Sequence, residues 1–199
     1  MGTPERSGAA SDRDEAFRGE LVALIPQLRA FARTLCGDPT AADDLAQDAM
    51  LKAWDARASY EMGTNMKAWT FMILRNQFYS ERRRSWRQSQ LDQEVAERTL
   101  VAVDDPEAPV ALDELRQGLA MLPAEQREAL VLVGAGGFAY EEAAAICDCA
   151  VGTVKSRVSR ARKALQDILE RGDYRREGAS AGEAMAKILA DAERLSSTK

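Results

Sequence analysis

Phe17, Leu21, Leu24, Leu28, Phe31 and Leu35 recur at intervals of four, three, four, three and four, which lines one face of an α-helix. The stripe predicts a core helix, bent near Pro26 because proline lacks an N–H and crowds the turn before it. Gly37 ends this helix and Asp38-Pro39-Thr40 opens a second, which runs to about Ala56. Thr40 is the expected cap of its free amides, Asp43 and Asp44 sit in the positive first turn, and Leu45, Ala49, Met50 and Ala53 face inward. A polar loop around residues 60–65 leads to a third helix from about Met66 to Arg84, rich in aromatic residues and closing on Arg82-Arg83-Arg84.

The pattern then changes. Between Gln88 and Glu114, eight acidic residues face Arg98 alone, with Pro106 and Pro109 among them; most of this stretch reads as a mobile acidic linker. Helical periodicity resumes near Ala111. Leu122-Pro123-Ala124-Glu125 is a helix start, with proline at its opening and an acid in its first turn, and Gly134, Gly136 and Gly137 end that helix. No strand precedes these glycines and no Gly-Lys-Ser/Thr follows them, so they read as a helix terminator rather than a phosphate-binding loop. A short helix (Tyr140 to Cys147), a tight turn (148–150) and a longer basic helix complete a helix-turn-helix. The expected fold is all-α. It comprises a leader (1–14), a helical domain (15–87), a flexible acidic linker (88–110), a helix-turn-helix domain (111–170) and a tail (171–199). In the tail, Met185, Ile188, Leu189, Ala192 and Leu195 fall near one face of a short amphipathic helix.

Composition narrows the chemistry. The 199 residues include no histidine, which removes Ser-His and Cys-His catalysis, and the chain is read as a non-enzyme that takes no small-molecule substrate and no cofactor. Cys36, Cys147 and Cys149 do not make a disulfide framework, and no metal site is expected, since structural zinc calls for four nitrogen or sulfur ligands. There is neither an apolar run of about 18 residues nor an apolar leader, so the expectation is a cytoplasmic protein without membrane insertion. A net charge of −5 argues against a general nucleic-acid coat, and any DNA contact has to be local.

Two local surfaces qualify. In the basic helix, Val154, Val158, Ala161 and Leu165 form an inward stripe; Gly152, Ser156, Ser159, Arg160 and Lys163 lie opposite, flanked by Thr153, Lys155 and Arg157. Short hydroxyls let a helix sit deep in the major groove, while Arg and Lys reach base acceptors or phosphates, a role that extends to Arg162. In the third helix, Trp69, Phe71, Phe78, Tyr79 and Trp86 interleave with Asn76 and the arginines. Rings stack on unpaired bases and arginines follow the backbone, so this segment suits single strands.

Ala42-Asp43-Asp44-Leu45-Ala46-Gln47-Asp48 with Trp54, Ala68-Trp69 through Arg84, Leu122-Pro123 through Leu130, and Val151-Gly152-Thr153-Val154-Lys155-Ser156-Arg157 together resemble the extracytoplasmic-function (ECF, group 4) sigma factors. Gln126 to Ala135 and Phe138 to Ala144 resemble the general-stress-response (EcfG) subgroup more narrowly. The resemblance implies a region 2 domain that binds core RNA polymerase and captures the melted −10 promoter element, and a region 4 domain that binds the −35 element as duplex. It assigns polymerase docking to Asp43, Asp44, Gln47 and Asp48, and −10 contacts to Tyr60, Thr64, Asn65, Asn76, Tyr79, Arg82, Arg83 and Arg84. It also implies control by a small anti-sigma protein, wedged between the two domains. Two other readings stand beside it: a free-standing dimeric helix-turn-helix regulator, and a sigma mimic that sequesters an anti-sigma protein without touching DNA.

Overall fold

A computed structural model describes residues 5–89 and 110–172, with side chains from 12 to 85 and from 114 to 172. The described residues form eight α-helices and no strand: α1 Glu5–Ala23, α2 Ile25–Cys36, α3 Pro39–Asp55, α4 Met66–Ser89, α5 Val110–Ala120, α6 Ala124–Gly134, α7 Tyr140–Cys147 and α8 Val151–Arg171. A single 3₁₀ turn, Arg57–Ser59, follows α3. The expected acidic linker falls almost wholly on residues 90–109, and the amphipathic tail on residues 173–199; both lie outside the described residues.

The first stripe divides as its proline requires. Leu24 separates α1 from α2, Pro26 occupies the first turn of α2, where a missing N–H costs nothing, and Phe17, Leu21, Leu28, Phe31 and Leu35 are all buried. Gly37 closes α2 in the left-handed region, at φ 74°, and returns its N–H to the Arg33 carbonyl. The cap of α3 is Asp38 rather than Thr40: Asp38 Oδ1 accepts the Ala41 N–H at 2.7 Å, and Pro39 takes the first helical position. The chain assigned to a leader is already helical from Glu5, and its end is tied down: Arg13 donates to the Tyr60 carbonyl at 2.9 Å, and Arg57 pairs with Asp14 at 3.3 Å.

Helices α1 to α4 pack around two connected clusters. Phe31 stacks on Phe71, with ring centroids 4.9 Å apart, while Phe17, Tyr60 and Trp69 make a second aromatic group with Ala53 and Met66. The inward stripe of α8 behaves as its spacing predicts. Val154, Val158 and Ala161 are buried against α6 and α7, and Leu165 is half-buried toward α5.

The two groups of helices do not stand apart. One continuous core runs from Leu28, Phe31, Phe71 and Leu74 into Leu132, Phe138, Ile146 and Val154, because α4 packs on α7 and α2 packs on α6. Phe138 is the hinge of this contact, with its ring edge-on to Phe71 at 5.0 Å. Gly136 holds Phe138 in place. A Cβ added there would sit 2.5 Å from the Leu132 carbonyl oxygen and 3.0 Å from the Phe138 ring. Gly136→Ala is therefore expected to destabilise the chain by about 1–3 kcal/mol, measured by urea denaturation, since the blocking atom is backbone and cannot swing aside.

Candidate nucleic-acid and polymerase surfaces

On α8 the buried stripe turns the opposite face outward, and Lys155, Ser156, Ser159, Arg160, Arg162 and Lys163 are all exposed. The preceding turn is fixed by Asp148, which adopts the left-handed conformation (φ 51°) that a short polar side chain tolerates. Arg160 reaches back along the helix, Nε to the Ser156 carbonyl at 3.2 Å and Nη2 to Ser156 Oγ at 3.1 Å, so these two residues form one polar patch. Thr153 is half-buried. Arg157 is held: it pairs with Glu125 of α6 at 2.5 Å and reaches Cys149 Sγ at 3.7 Å, which makes it a brace between the helices in this conformation.

The residues read as −10 contacts are more dispersed. Tyr60 belongs to the core, at 3% exposure between Phe17 and Trp69, with its hydroxyl donating to the Thr64 carbonyl at 2.7 Å. It shapes the loop rather than facing a base. Thr64 and Asn65 are exposed; Asn65 Oδ1 accepts the Ala68 N–H and so caps α4. Asn76, Arg82, Arg83 and Arg84 lie exposed along α4, with Arg82 over the Phe78 ring at 5.7 Å. Tyr79 is half-buried and hydrogen-bonded to Glu128 at 3.2 Å; burial, then the Glu128 carboxylate, pushes its phenol up to about 12.

Sequence reading missed the group that Tyr79 belongs to. Glu128 of α6 is 1% exposed, and Arg75 of α4 donates to it at 2.6 Å while stacking over Tyr79 at 4.5 Å. Burial works against the Arg75 charge, but the Glu128 carboxylate outweighs it and leaves the guanidinium pKa raised. Next to it, buried Arg127 donates to the carbonyls of Thr34, Ala120, Leu119 and Leu122. The available signal was the all-round apolar run Leu130 to Val133 beside this charged pair. A helix without a polar face is buried on more than one side.

Two of the four expected polymerase residues, Asp43 and Gln47, border a groove of about 620 Å³ between α1, α2 and α3. Asp43 and Gln47 line it together with Val22, Ile25, Met50 and Leu51. Val22 and Leu51 are 51% and 56% exposed, an apolar floor left open to solvent. Asp43 is held by Arg29 across the groove, and that hydrogen bond keeps its carboxyl below the usual range. Asp44 and Asp48 stand exposed one turn apart on α3. Among the described residues no group of three or more Cys, Asp or Glu is placed to hold a metal, and no helix is long and apolar enough to cross a membrane.

These surfaces coincide with two family patterns: sigma-70 region 2 matches residues 21–88, and sigma-70 region 4 matches residues 112–165. The chain is 46% identical over 155 residues to the ECF RNA polymerase sigma factor EcfG of Rhodopseudomonas palustris (strain TIE-1), covering 78% of this chain and 86% of that one. The chain is an ECF sigma factor. Its fold is similar to that of the sigma factor RpoE in the co-crystal structure with the anti-sigma factor NepR from Bartonella quintana, at 47% identity and a TM-score of 0.71 over 78% of this chain and 98% of the other. It is also similar to CnrH, solved in complex with the cytosolic domain of CnrY, at 26% identity and a TM-score of 0.59 over 83% and 94%. In this sigma factor region 2 comprises the end of α1 through α4, and region 4 comprises α5 to α8. The continuous core described above therefore joins region 2 to region 4.

Proposed function

We propose that this sigma factor acts in the cytoplasm as a non-catalytic subunit of RNA polymerase. Region 2 docks through the α1–α3 groove and captures the −10 element along α4, and α8 reads the −35 element in the major groove. The observation that carries the reading is the division of α8 into a buried Val154-Val158-Ala161 stripe and a fully exposed face of hydroxyls and cations. A buried stripe positions a helix, and short hydroxyls beside long cations suit groove entry. The EcfG resemblance and the NepR-bound relative support control by a small anti-sigma protein and a general stress response.

Transcription with purified core polymerase on promoter variants tests this. Ser156→Ala and Arg160→Ala should each cost about 1–3 kcal/mol at particular −35 bases, so the loss is uneven across sequences, whereas Arg162→Ala should weaken all promoters alike. A neutral Arg160→Ala would move the reading face elsewhere on α8.

The exposed acidic pair on α3 beside the groove makes a separate prediction. An apolar floor bordered by polar and charged side chains, here Arg18, Arg29, Asp43 and Gln47, is the composition of a protein interface, with nearby charges steering association. Reversing both Asp44 and Asp48 to Lys should lower core polymerase affinity, chiefly through a slower and less salt-sensitive association rate, with unchanged helical circular dichroism. Unaltered association kinetics would remove these residues from the docking face.

A further inference from the structure

The loop between α3 and α4 carries Thr64 and Asn65, and its tip is exposed around Gly63, which takes φ 87°. A short exposed loop has no core of its own, so its shape is imposed by the elements it touches. Tyr60 is the point of attachment: its hydroxyl donates across the loop to the Thr64 carbonyl at 2.7 Å, and its own carbonyl accepts from Arg13 Nη2 at 2.9 Å, across 47 positions. Arg13 thus holds one end of the bridge that ends on Thr64. Beside it, Asp14 pairs at 3.3 Å with Arg57, in the 3₁₀ turn that leads into the loop, and Arg57 donates to the Trp54 carbonyl at 3.0 Å while lying 4.6 Å from the Trp54 ring centre. Phe17, one helical turn beyond Arg13, meets the Tyr60 ring edge-on at 5.6 Å, and Met62 packs on the same cluster. Arg13, Asp14 and Phe17 all lie N-terminal to the region 2 pattern, which begins at residue 21.

The polar contacts among these are poorly suited to holding the fold. Arg13 is exposed, and the side chains of Arg57 and Asp14 are 35% and 45% exposed, so water and salt screen the pair and it adds little to global stability. Their effect is on one stretch of backbone. A charged donor on the Tyr60 carbonyl and an ion pair on the turn before it remove conformations that the loop would otherwise sample. A site that captures an unpaired base is selective when its supporting contacts hold it in shape, and loses selectivity when they are loose.

We infer that α1, ahead of the region 2 pattern, is part of the −10 reader: Arg13 and Asp14 are positioning residues that set the shape of the 60–65 loop, and through it the selectivity for the base that the loop captures. The inference rests on the reading of Thr64 and Asn65 as −10 contacts.

The test is transcription by the full chain with purified core polymerase on promoters in which each −10 and −35 position is varied in turn. Thr64→Ala and Asn65→Ser, the second of which keeps a capping side chain for α4, mark the position read by the loop as the one where base preference flattens. A lost base contact costs roughly 5- to 150-fold, and Arg13→Ala and Asp14→Ala should each cut the mismatch penalty at that same position at least about fivefold. Preferences at −35 and the urea midpoint should stay unchanged, and Arg13→Lys, which keeps a donor, should restore most of the preference. Hydrogen exchange should be faster in Arg13→Ala over residues 60–65 and unaltered elsewhere. If the loop variants flatten a position that Arg13→Ala and Asp14→Ala leave as sharp as in the unmodified chain, the positioning role is overturned and the loop remains a reader. A uniform loss at every −10 and −35 position, or a lowered urea midpoint, also overturns it, since the two residues would then support the fold. If Thr64→Ala and Asn65→Ser flatten no −10 position, the reading of the loop as a −10 contact fails, and the positioning role falls with it.

Discussion

Arg127→Ala is expected to lower the stability of the full chain by about 3–5 kcal/mol, the range for removing a buried charge that other groups depend on. Its guanidinium donates to the Thr34 carbonyl at 2.9 Å and the Ala120 carbonyl at 3.0 Å, with longer contacts to Leu119 and Leu122 at 3.4 Å. Thr34 is in the last turn of α2, and Leu119 and Ala120 end α5, so one cation sits on the negative ends of two helices. Burial pulls the Arg127 pKa down, with Tyr79 and Glu128 opposing. Alanine would strand the Ala120 and Leu122 carbonyls, each costing about 1–3 kcal/mol if no water enters. Arg127→Lys should recover only part, because a point ammonium cannot fork across two helix ends. Urea denaturation of the three proteins checks the order. A loss below about 1 kcal/mol for alanine would mean that solvent satisfies the carbonyls and that Arg127 is not a structural staple.

The parts of this molecule legible in the sequence are those that one element decides for itself. The Phe17-to-Leu35 stripe and the Val154, Val158, Ala161 stripe are written in local spacing, and both turn inward as expected. The start of α3 was legible to within two residues; Asp38 won over Thr40 because Pro39 takes the first helical position and leaves the residue before it as the cap. What stayed hidden were pairings between elements. Arg157 reads as a DNA contact along its own helix, and only the approach of α6 reveals Glu125 as its partner. Tyr60 reads as an exposed aromatic in a polar loop, yet Phe17, 43 positions earlier, supplies the ring that buries it. The contact between regions was the least legible: it brings Arg75 to Glu128 and Lys67 to Gly136 across 53 and 69 positions, beyond the reach of any periodicity.

The same contact carries the second large effect. Arg75→Met should cost about 3–5 kcal/mol, because it leaves the Glu128 carboxylate, 1% exposed, without its cation. Glu128→Leu should cost less. The Arg75 side chain is 14% exposed at one edge of the interface and can turn its guanidinium toward water once the carboxylate is gone. Tyr79 would still lose its acceptor, a residual cost of about 1 kcal/mol that adding Tyr79→Phe should remove. The double variant Arg75→Met/Glu128→Leu replaces a buried ion pair by apolar groups of similar volume, an exchange that is often neutral or stabilising. The two single costs should therefore fail to add, with a coupling near the upper end of about 0.5–3 kcal/mol. Because the pair joins region 2 to region 4, the single variants carry a second signature. The urea transition of the unmodified chain should be one cooperative step, while Arg75→Met should split or broaden it, lowering the apparent slope as the two regions unfold separately. Additive costs together with an unchanged slope would show that the pair contributes no coupling, and that the apolar contact of Phe71 with Phe138 holds the two regions together without it.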